Sequence, residues 1–442
     1  MVAFALAVRW PFRNEVSGDY RAFIGPWYDY IAGHGGFAAL RDQFSNYNPP
    51  YLYLLAVTTV LPLPKIIAIK TVSVAFDLLL AFAVYKLVGL RRGWTWQPLA
   101  AAAIALVLPT VVLNSSFWGQ CDSIYASLAL LALYQQLRRR TVWAAVLIGL
   151  AISFKLQAVF MLPVLAMVWV TQPIRLRRSL IAIALIPLTF LAMLIPALAA
   201  GASPSALAAI YPAQVSDSGA GGGLPNVGGG GFASPGGFTG GGGGGAGNPG
   251  GGLGRGGGGL LGQAGGGTSG GAPYTRNAAS FYQWLSPDSG IFWKYFGLAL
   301  AAAAIVAAVG VAWRHRRWIS VRSLIALAAT QLVAIPFLLP QMHDRYFYLA
   351  DAMLIVAAFW VPRLVPAAIA AQGASLIAYG AYLWNGTLSL RLASTLECVA
   401  LVMCIWAAAW SLRSDRQNAA ERPGNAKPAR GISREPALAV SD

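Results

Sequence analysis

The chain has 442 residues, 57% hydrophobic and only 11% charged, with a mean hydropathy of +0.59 and a formal net charge of +17. That balance excludes an ordinary soluble globule and points to a polytopic helical membrane protein. The positive charge does not point to nucleic acid. Its carriers fall in short clusters between apolar runs: Arg91-Arg92, Arg138–Arg140, Arg175/Arg177/Arg178 and Arg314/Arg316/Arg317. This is the positive-inside pattern, which orients a membrane protein. Three cysteines, Cys121, Cys398 and Cys404, provide no disulfide framework.

In chain order, Met1–Val8 is apolar but too short to span, and no cleavable signal follows, as expected if the start clips a first transmembrane helix. Residues 11–47 are polar, hold Asp19, Asp29, His34 and Asp42, and are expected outside. The apolar piece 50–62 lies between prolines and falls short of the roughly 20 residues a span needs. It reads as a helix in the interface, its tyrosines at headgroup level. Spans are then expected over 65–90, 98–113 and 124–137, with a pair of short helices, 142–154 and 158–171, turning at Lys155-Leu-Gln157. Further spans follow over 179–200, 290–312, 320–340, 347–361, 364–384 and 392–412. The fold class is all-α, a polytopic membrane protein of about 11–12 transmembrane helices with interfacial helices in the first external loop. This assignment turns every dense basic cluster to the cytoplasm and places the protein in the cytoplasmic membrane.

Two segments stand apart. Residues 218–272 hold 31 of the 49 glycines and one charge, Arg255. With little to bury against the entropy of ordering glycine, this insert is expected to be disordered and external. The tail, 413–442, is polar and proline-bearing and is expected to be disordered and cytoplasmic.

Within this apolar frame one stretch is out of place: Asn114-Ser-Ser-Phe-Trp-Gly-Gln-Cys-Asp122, between two apolar runs. A carboxylate at membrane depth is costly, so Asp122 should lie in a polar cavity or at the bilayer edge. The assigned topology gathers four polar clusters on the external side. They are Asp19 with Tyr20 and Arg21, Trp118–Asp122, Lys155 with Gln157, and His343-Asp-Arg-Tyr346. Such a set suits an anionic lipid headgroup and a hydroxyl to be deprotonated. Lys155 and Arg345 would hold phosphate, one as a point charge and the other as a fork. Asp19 would be the general base.

Each residue also has a plainer structural role open to it. Asp122 can cap the helix that follows, and Asp19, in Ser17-Gly-Asp19, can cap a helix start. Lys155 can snorkel to headgroups, and His343 and Arg345 can anchor the interface beside Tyr346 and Tyr348. Asp77, inside a span, is expected to make an interhelical hydrogen bond. No His, Cys and carboxylate set has metal-ligand spacing, so no cofactor is indicated, and a divalent metal is optional.

The motifs together resemble the GT-C superfamily of membrane glycosyltransferases, and among them the bacterial relatives of GPI mannosyltransferase II. The likeness rests on Ser17-Gly-Asp-Tyr20, Tyr47-Asn-Pro-Pro-Tyr-Leu-Tyr53 and Asn114–Asp122. It continues with Ser153-Phe-Lys-Leu-Gln157 and Met342-His-Asp-Arg-Tyr-Phe347. It implies a GT-C-type transmembrane domain over 1–412 and an inverting transfer of a hexose, mannose for preference. The donor would be a polyprenyl-phosphate sugar, the acceptor a lipid or cell-envelope glycan, and the surroundings the lipid bilayer. The first-loop acid, Asp19, takes the catalytic role. Gln120 and Asp122 bind sugar hydroxyls or position Asp19; Gln157, His343 and Tyr346 join Lys155 and Arg345 in binding substrate, and Trp118 packs a sugar face. The rival reading is a non-catalytic flippase or transporter of isoprenoid-linked precursors, which would carry charges along its path on both sides of the bilayer.

Overall fold

The computed structural model describes residues 1–93, 95–216, 274–286, 290–384 and 386–421. The expected glycine-rich insert, 218–272, lies outside these residues. In order the helices are α1 (Val2–Arg9), α2 (Gly25–Gly33), α3 (Pro49–Thr58), α4 (Lys65–Arg92), α5 (Trp96–Val107) and α6 (Pro109–Val112). Next come α7 (Asp122–Leu137), α8 (Thr141–Phe154), α9 (Met161–Val170), α10 (Leu176–Ala192), α11 (Ile195–Ala199) and α12 (Pro204–Ser216). The remainder are α13 (Phe292–Arg314), α14 (Val321–Leu338), α15 (Tyr348–Trp360), α16 (Val365–Trp384) and α17 (Leu390–Ala420). Two short strands, β1 (Thr275–Arg276) and β2 (Met342–His343), pair in parallel and put Arg276 beside His343.

Burial divides the bundle into a centre and a lipid-facing shell. α7 buries 13 of its 16 residues and α14 buries 15 of 18, so these helices and α15 form the interior. α10 buries only Ala182 and exposes Leu176, Leu180, Ile183, Leu188 and Leu191; α13 exposes Phe292, Tyr295 and Val306. Helices apolar on every side but exposed on most of them fit a hydrocarbon surround. Where α8 meets α10, Gly149 permits close backbone approach: a Cβ there would sit 2.6 Å from the Ile186 carbonyl oxygen.

Six helical segments among the described residues are long and apolar enough to cross a membrane: 65–92, 176–199, 292–314, 321–338, 362–384 and 390–420. Trp96–Val107 and Pro109–Trp118 make a seventh if their 48° bend is one broken span. The expected total of about 11–12 also counts helices such as α8 and α15. At 1.5 Å per residue these reach only about 20 Å, short of a hydrocarbon core of about 30 Å. The turn expected at 155–157 is present between α8 and α9.

Three local expectations need correction. α3 does not span, as its length requires, but Tyr51 and Tyr53 are buried in protein rather than held at headgroup level. Tyr53 Oη donates to the Met193 carbonyl (2.9 Å) and accepts from the Ala197 amide (3.1 Å). α17 does not stop at 412 but runs on to Ala420, so the first part of the tail is helical. Between the expected spans 179–200 and 290–312, where no helix was assigned, lies α12, and its Tyr211 Oη donates to the Ile152 carbonyl at 2.5 Å.

The bend between α5 and α6 sets up the site. Pro109 lacks the amide needed to continue α5, and the chain turns and passes through a π-turn, Leu113–Trp118, that is buried at Asn114, Ser115, Ser116 and Trp118. Beneath it Asp77 of α4 makes the contacts expected of it. Arg9 Nη2 (2.8 Å) and Nε (3.2 Å) and Ser115 Oγ (2.6 Å) all donate to Asp77 Oδ2. Arg9 Nη1 donates to the carbonyls of Ala5 (3.0 Å) and Leu106 (2.8 Å). One buried ion pair thus ties α1, α4, α5 and the π-turn together.

Candidate active site

Asp19 opens a second π-turn, Tyr20–Ile24. Its capping duty falls to Ser17, whose Oγ accepts from the Tyr20 amide (3.1 Å) and donates to the Trp118 carbonyl (2.6 Å). The Asp19 carboxylate is therefore free for other partners, and it collects four. Trp118 Nε1 (3.0 Å), Arg345 Nη1 (3.1 Å) and Gln120 Nε2 donate to Oδ2, and Tyr382 Oη donates to Oδ1.

Gly119 makes this convergence possible. At φ +79° it takes the left-handed conformation that closes the π-turn, with the Gln120 amide donating to the Asn114 carbonyl at 2.8 Å. Trp118 and Gln120, on either side, then both reach one carboxylate.

A second hub lies alongside. Asp122, in the first turn of α7, is 2% exposed and accepts from Lys155 Nζ at Oδ1 and from Asn114 Nδ2 at Oδ2 (2.7 Å). Arg345 Nε stands 3.7 Å from Asp122 Oδ2, too far for a hydrogen bond but within ion-pair range. Arg345 thus bridges the two carboxylates. Lys155 sits against the ring of Tyr47, 5.5 Å from its centroid, and Tyr47 Oη donates to Gln120 Oε1 at 3.3 Å. Lys155, buried and paired, does not snorkel, and Arg345, part-buried and paired with both carboxylates, is no surface anchor.

Both hubs border a cavity of about 430 Å³, within the range of small-molecule sites. Asp19, Gln120, Lys155, Gln157, His343, Arg345 and Tyr346 line it, so the structure brings together seven of the nine candidate residues on its wall. Asp122 and Trp118 stand behind that wall. Trp118 is fully buried, stacked on Tyr382 (centroids 4.8 Å apart, 20° between planes) and edge-on to Tyr379 (5.2 Å). It offers no face to a sugar; its place is to orient Asp19. Asp344 of the His343–Tyr346 cluster also lines the cavity, as do Tyr47, Tyr211, Gln214, Arg276 and Tyr382, to which sequence reasoning gave no role in the site. Arg276 is delivered by the β1–β2 pairing, locked by the Gln341 amide on the Tyr274 carbonyl (2.7 Å).

The electrostatics follow from burial among fixed charges. Burial works to raise the Asp19 carboxyl, but the Arg345 guanidinium and the donors Tyr382 and Trp118 outweigh it and hold the group below its usual value. Burial works to lower Lys155, yet Asp122 overrides it and the ammonium is held firmly protonated. His343 is driven down to about 3 by burial and by Arg345 and Arg276, so it is neutral at physiological pH. Asp344 is pushed up to about 7, chiefly by burial, with Arg345 opposing. The cavity therefore presents fixed cations at Lys155, Arg345 and Arg276 around a carboxylate that stays ionised.

Fold and site together define a multi-pass membrane protein with a cation-lined cavity bordered by the Asp19 and Asp122 hubs. Residues 44–218 match the model of glycosyltransferase family 87. On that match the protein is a membrane glycosyltransferase. The matched segment carries Tyr47, Trp118, Gln120, Asp122, Lys155 and Tyr211, while Asp19, Arg345 and Tyr382 lie outside it. A comparison with curated proteins gave no match.

Proposed function

We propose that the protein transfers a hexose, mannose for preference, from a polyprenyl-phosphate donor to a lipid or cell-envelope glycan, with inversion, on the external face of the cytoplasmic membrane. The observation that carries this reading is the placement of Asp19 on the same cavity wall as Lys155 and Arg345. The donor's phosphate would sit between those two cations. Its arrival changes Asp19. The guanidinium that now opposes burial would be shared with the phosphate, and burial would then raise the carboxyl's proton affinity as the acceptor hydroxyl enters. The hydroxyl oxygen attacks the anomeric carbon, the bond from that carbon to the phosphate oxygen breaks, and polyprenyl phosphate leaves with the electron pair. The hydroxyl proton passes to Asp19. Lys155 and Arg345 stabilise the charge that grows on the leaving phosphate. Trp118, Gln120 and Tyr382 fix the carboxylate in place, and Gln157, His343 and Tyr346 supply polar contacts to the sugar.

Mannose rests on the likeness to bacterial relatives of GPI mannosyltransferase II, and the external face on the distribution of basic clusters. The test is to offer membranes containing the protein polyprenyl phosphates of mannose, glucose and galactose, and to read both incorporation and the product anomer by NMR. Transfer from the mannosyl donor with the anomer opposite to the donor's is expected. A retained anomer contradicts the single displacement. Tight donor binding without transfer of any sugar favours the carrier reading.

A further inference from the structure

A second cavity, of about 520 Å³, lies away from the site just described, between the α7–α8 turn and the α9–α10 connection. Arg139, Arg140, Arg175 and Arg178 line it with Trp143 and Gln172. It adjoins Thr141 at the start of α8, whereas Lys155 of the first cavity follows that helix's end. The 14 residues of α8 put the two about 20 Å apart.

Three features set this cavity apart from a basic cluster that only orients the chain. First, its charge is uncompensated. Ser123–Ser216 contains no Asp or Glu, and among the described residues none of the four arginines makes an ion pair or donates a side-chain hydrogen bond. Some arginines of the neighbouring clusters engage the protein itself: Arg138 donates to Tyr134 Oη (3.1 Å), and Arg316 lies 3.9 Å over the Trp313 ring.

Second, Arg139 stands at φ +61°, where glycine would be favoured by roughly 1 kcal/mol. Its side chain is kept there at a conformational cost. The floor is firm: Gln136 and Gln172 are buried and exchange hydrogen bonds, Nε2 to Oε1 at 3.1 Å and Nε2 to the Gln136 carbonyl at 2.8 Å. Third, the cavity continues onto apolar surface. Trp143, Leu176, Leu180 and Ile183 are 61%, 73%, 57% and 57% exposed, along α8 and the lipid-facing α10.

From this we infer that the cavity binds the phosphate-bearing headgroup of an anionic phospholipid, whose chains lie along α8 and α10. The arginines supply forked donors for the phosphate, and the neighbouring apolar faces distinguish a lipid from a free anion.

The test uses the full chain, purified in detergent and delipidated, with phosphatidylglycerol binding counted by native mass spectrometry. Phosphatidylcholine and inorganic phosphate serve as comparisons. Arg139→Gly is the first variant, because it removes a charge while relaxing the backbone, and Arg139→Gly/Arg178→Gln is the second. The wild type is expected to retain phosphatidylglycerol over phosphatidylcholine, with affinity falling about fivefold for each arginine removed. Sugar transfer by Arg139→Gly, measured in detergent, is expected to be unchanged. Equal retention of the two lipids, undiminished binding by the double variant, or displacement of phosphatidylglycerol by millimolar inorganic phosphate would overturn the assignment.

Discussion

Replacing Lys155 by Met removes the cation that Asp122 depends on while keeping most of the side-chain volume. Asp122, 2% exposed, would be left with the Asn114 amide at 2.7 Å and the Arg345 Nε at 3.7 Å. Breaking a buried ion pair from one side costs about 3–5 kcal/mol, because the stranded charge cannot recover its hydration. Arg345 offsets part of that loss, so the lower end, about 3 kcal/mol, is expected, or roughly a hundredfold in the folding equilibrium. Adding Asp122→Asn should restore most of the stability, since both charges are then gone and a neutral pair costs little to bury. The assay is thermal unfolding of the purified protein in one detergent, across wild type, both single variants and the double variant. Sugar transfer read on the same samples separates the two roles of Lys155. Restored stability without restored transfer would mean that the ammonium also serves the donor's phosphate. A Lys155→Met protein as stable as wild type, or a double variant no more stable than Lys155→Met alone, would refute the reasoning.

Other consequences can be checked in parallel. Tyr382→Phe removes one donor from Asp19, whose depressed carboxyl then rises; the acid limb of the pH–rate profile should move to higher pH. Because that carboxyl is lower in the folded state than in the unfolded, it contributes stability above the unfolded value and loses it as pH falls through the folded one. Tyr382→Phe should shrink that acid-side loss, seen in unfolding midpoints against pH. Asp344 has the opposite sign: with its folded value raised to about 7, ionisation favours the unfolded chain between about 4 and about 7. Asp344→Asn should therefore flatten the decline in stability across that window. Gly119→Ala forces a side chain into φ +79° and should cost about 1–2 kcal/mol, with a larger fall in transfer as Trp118 and Gln120 lose their aim. Arg9→Met, alone, should destabilise by about 3–5 kcal/mol through the stranded Asp77, and Asp77→Asn should rescue it in the same unfolding assay.

Much of the site was legible because polar residues are conspicuous against an apolar background. Asp19, Gln120, Asp122, Lys155 and Arg345 were each visible in this way, and the fold then brought them together. What could not be read was direction. A tryptophan in a polar run can face a sugar or a neighbour, and only the packing of Tyr379 and Tyr382 against Trp118 turns it inward. Tyr382 itself hides in the apolar run Ala-Tyr-Leu-Trp384 and meets Asp19 across 363 residues, so no local signal could have found it. Arg276 was obscured by the glycine-rich stretch before it and enters through a two-residue strand pairing that composition does not announce. The spans were hard to count for a related reason. Helices of ten to sixteen residues, such as α9 and α7, can be buried within the bundle without the length a lone span needs.

The central claim is that Asp19 is the base of a sugar transfer fed by a polyprenyl-phosphate donor. The most direct measurement is transfer of radiolabelled sugar from polyprenyl-phosphate mannose by membranes holding equal amounts of wild type or Asp19→Asn, each shown to be folded and inserted. The account predicts label in endogenous lipid or glycan with wild type, and a loss of at least a hundredfold with Asp19→Asn while donor binding persists. Undiminished transfer by Asp19→Asn would contradict it.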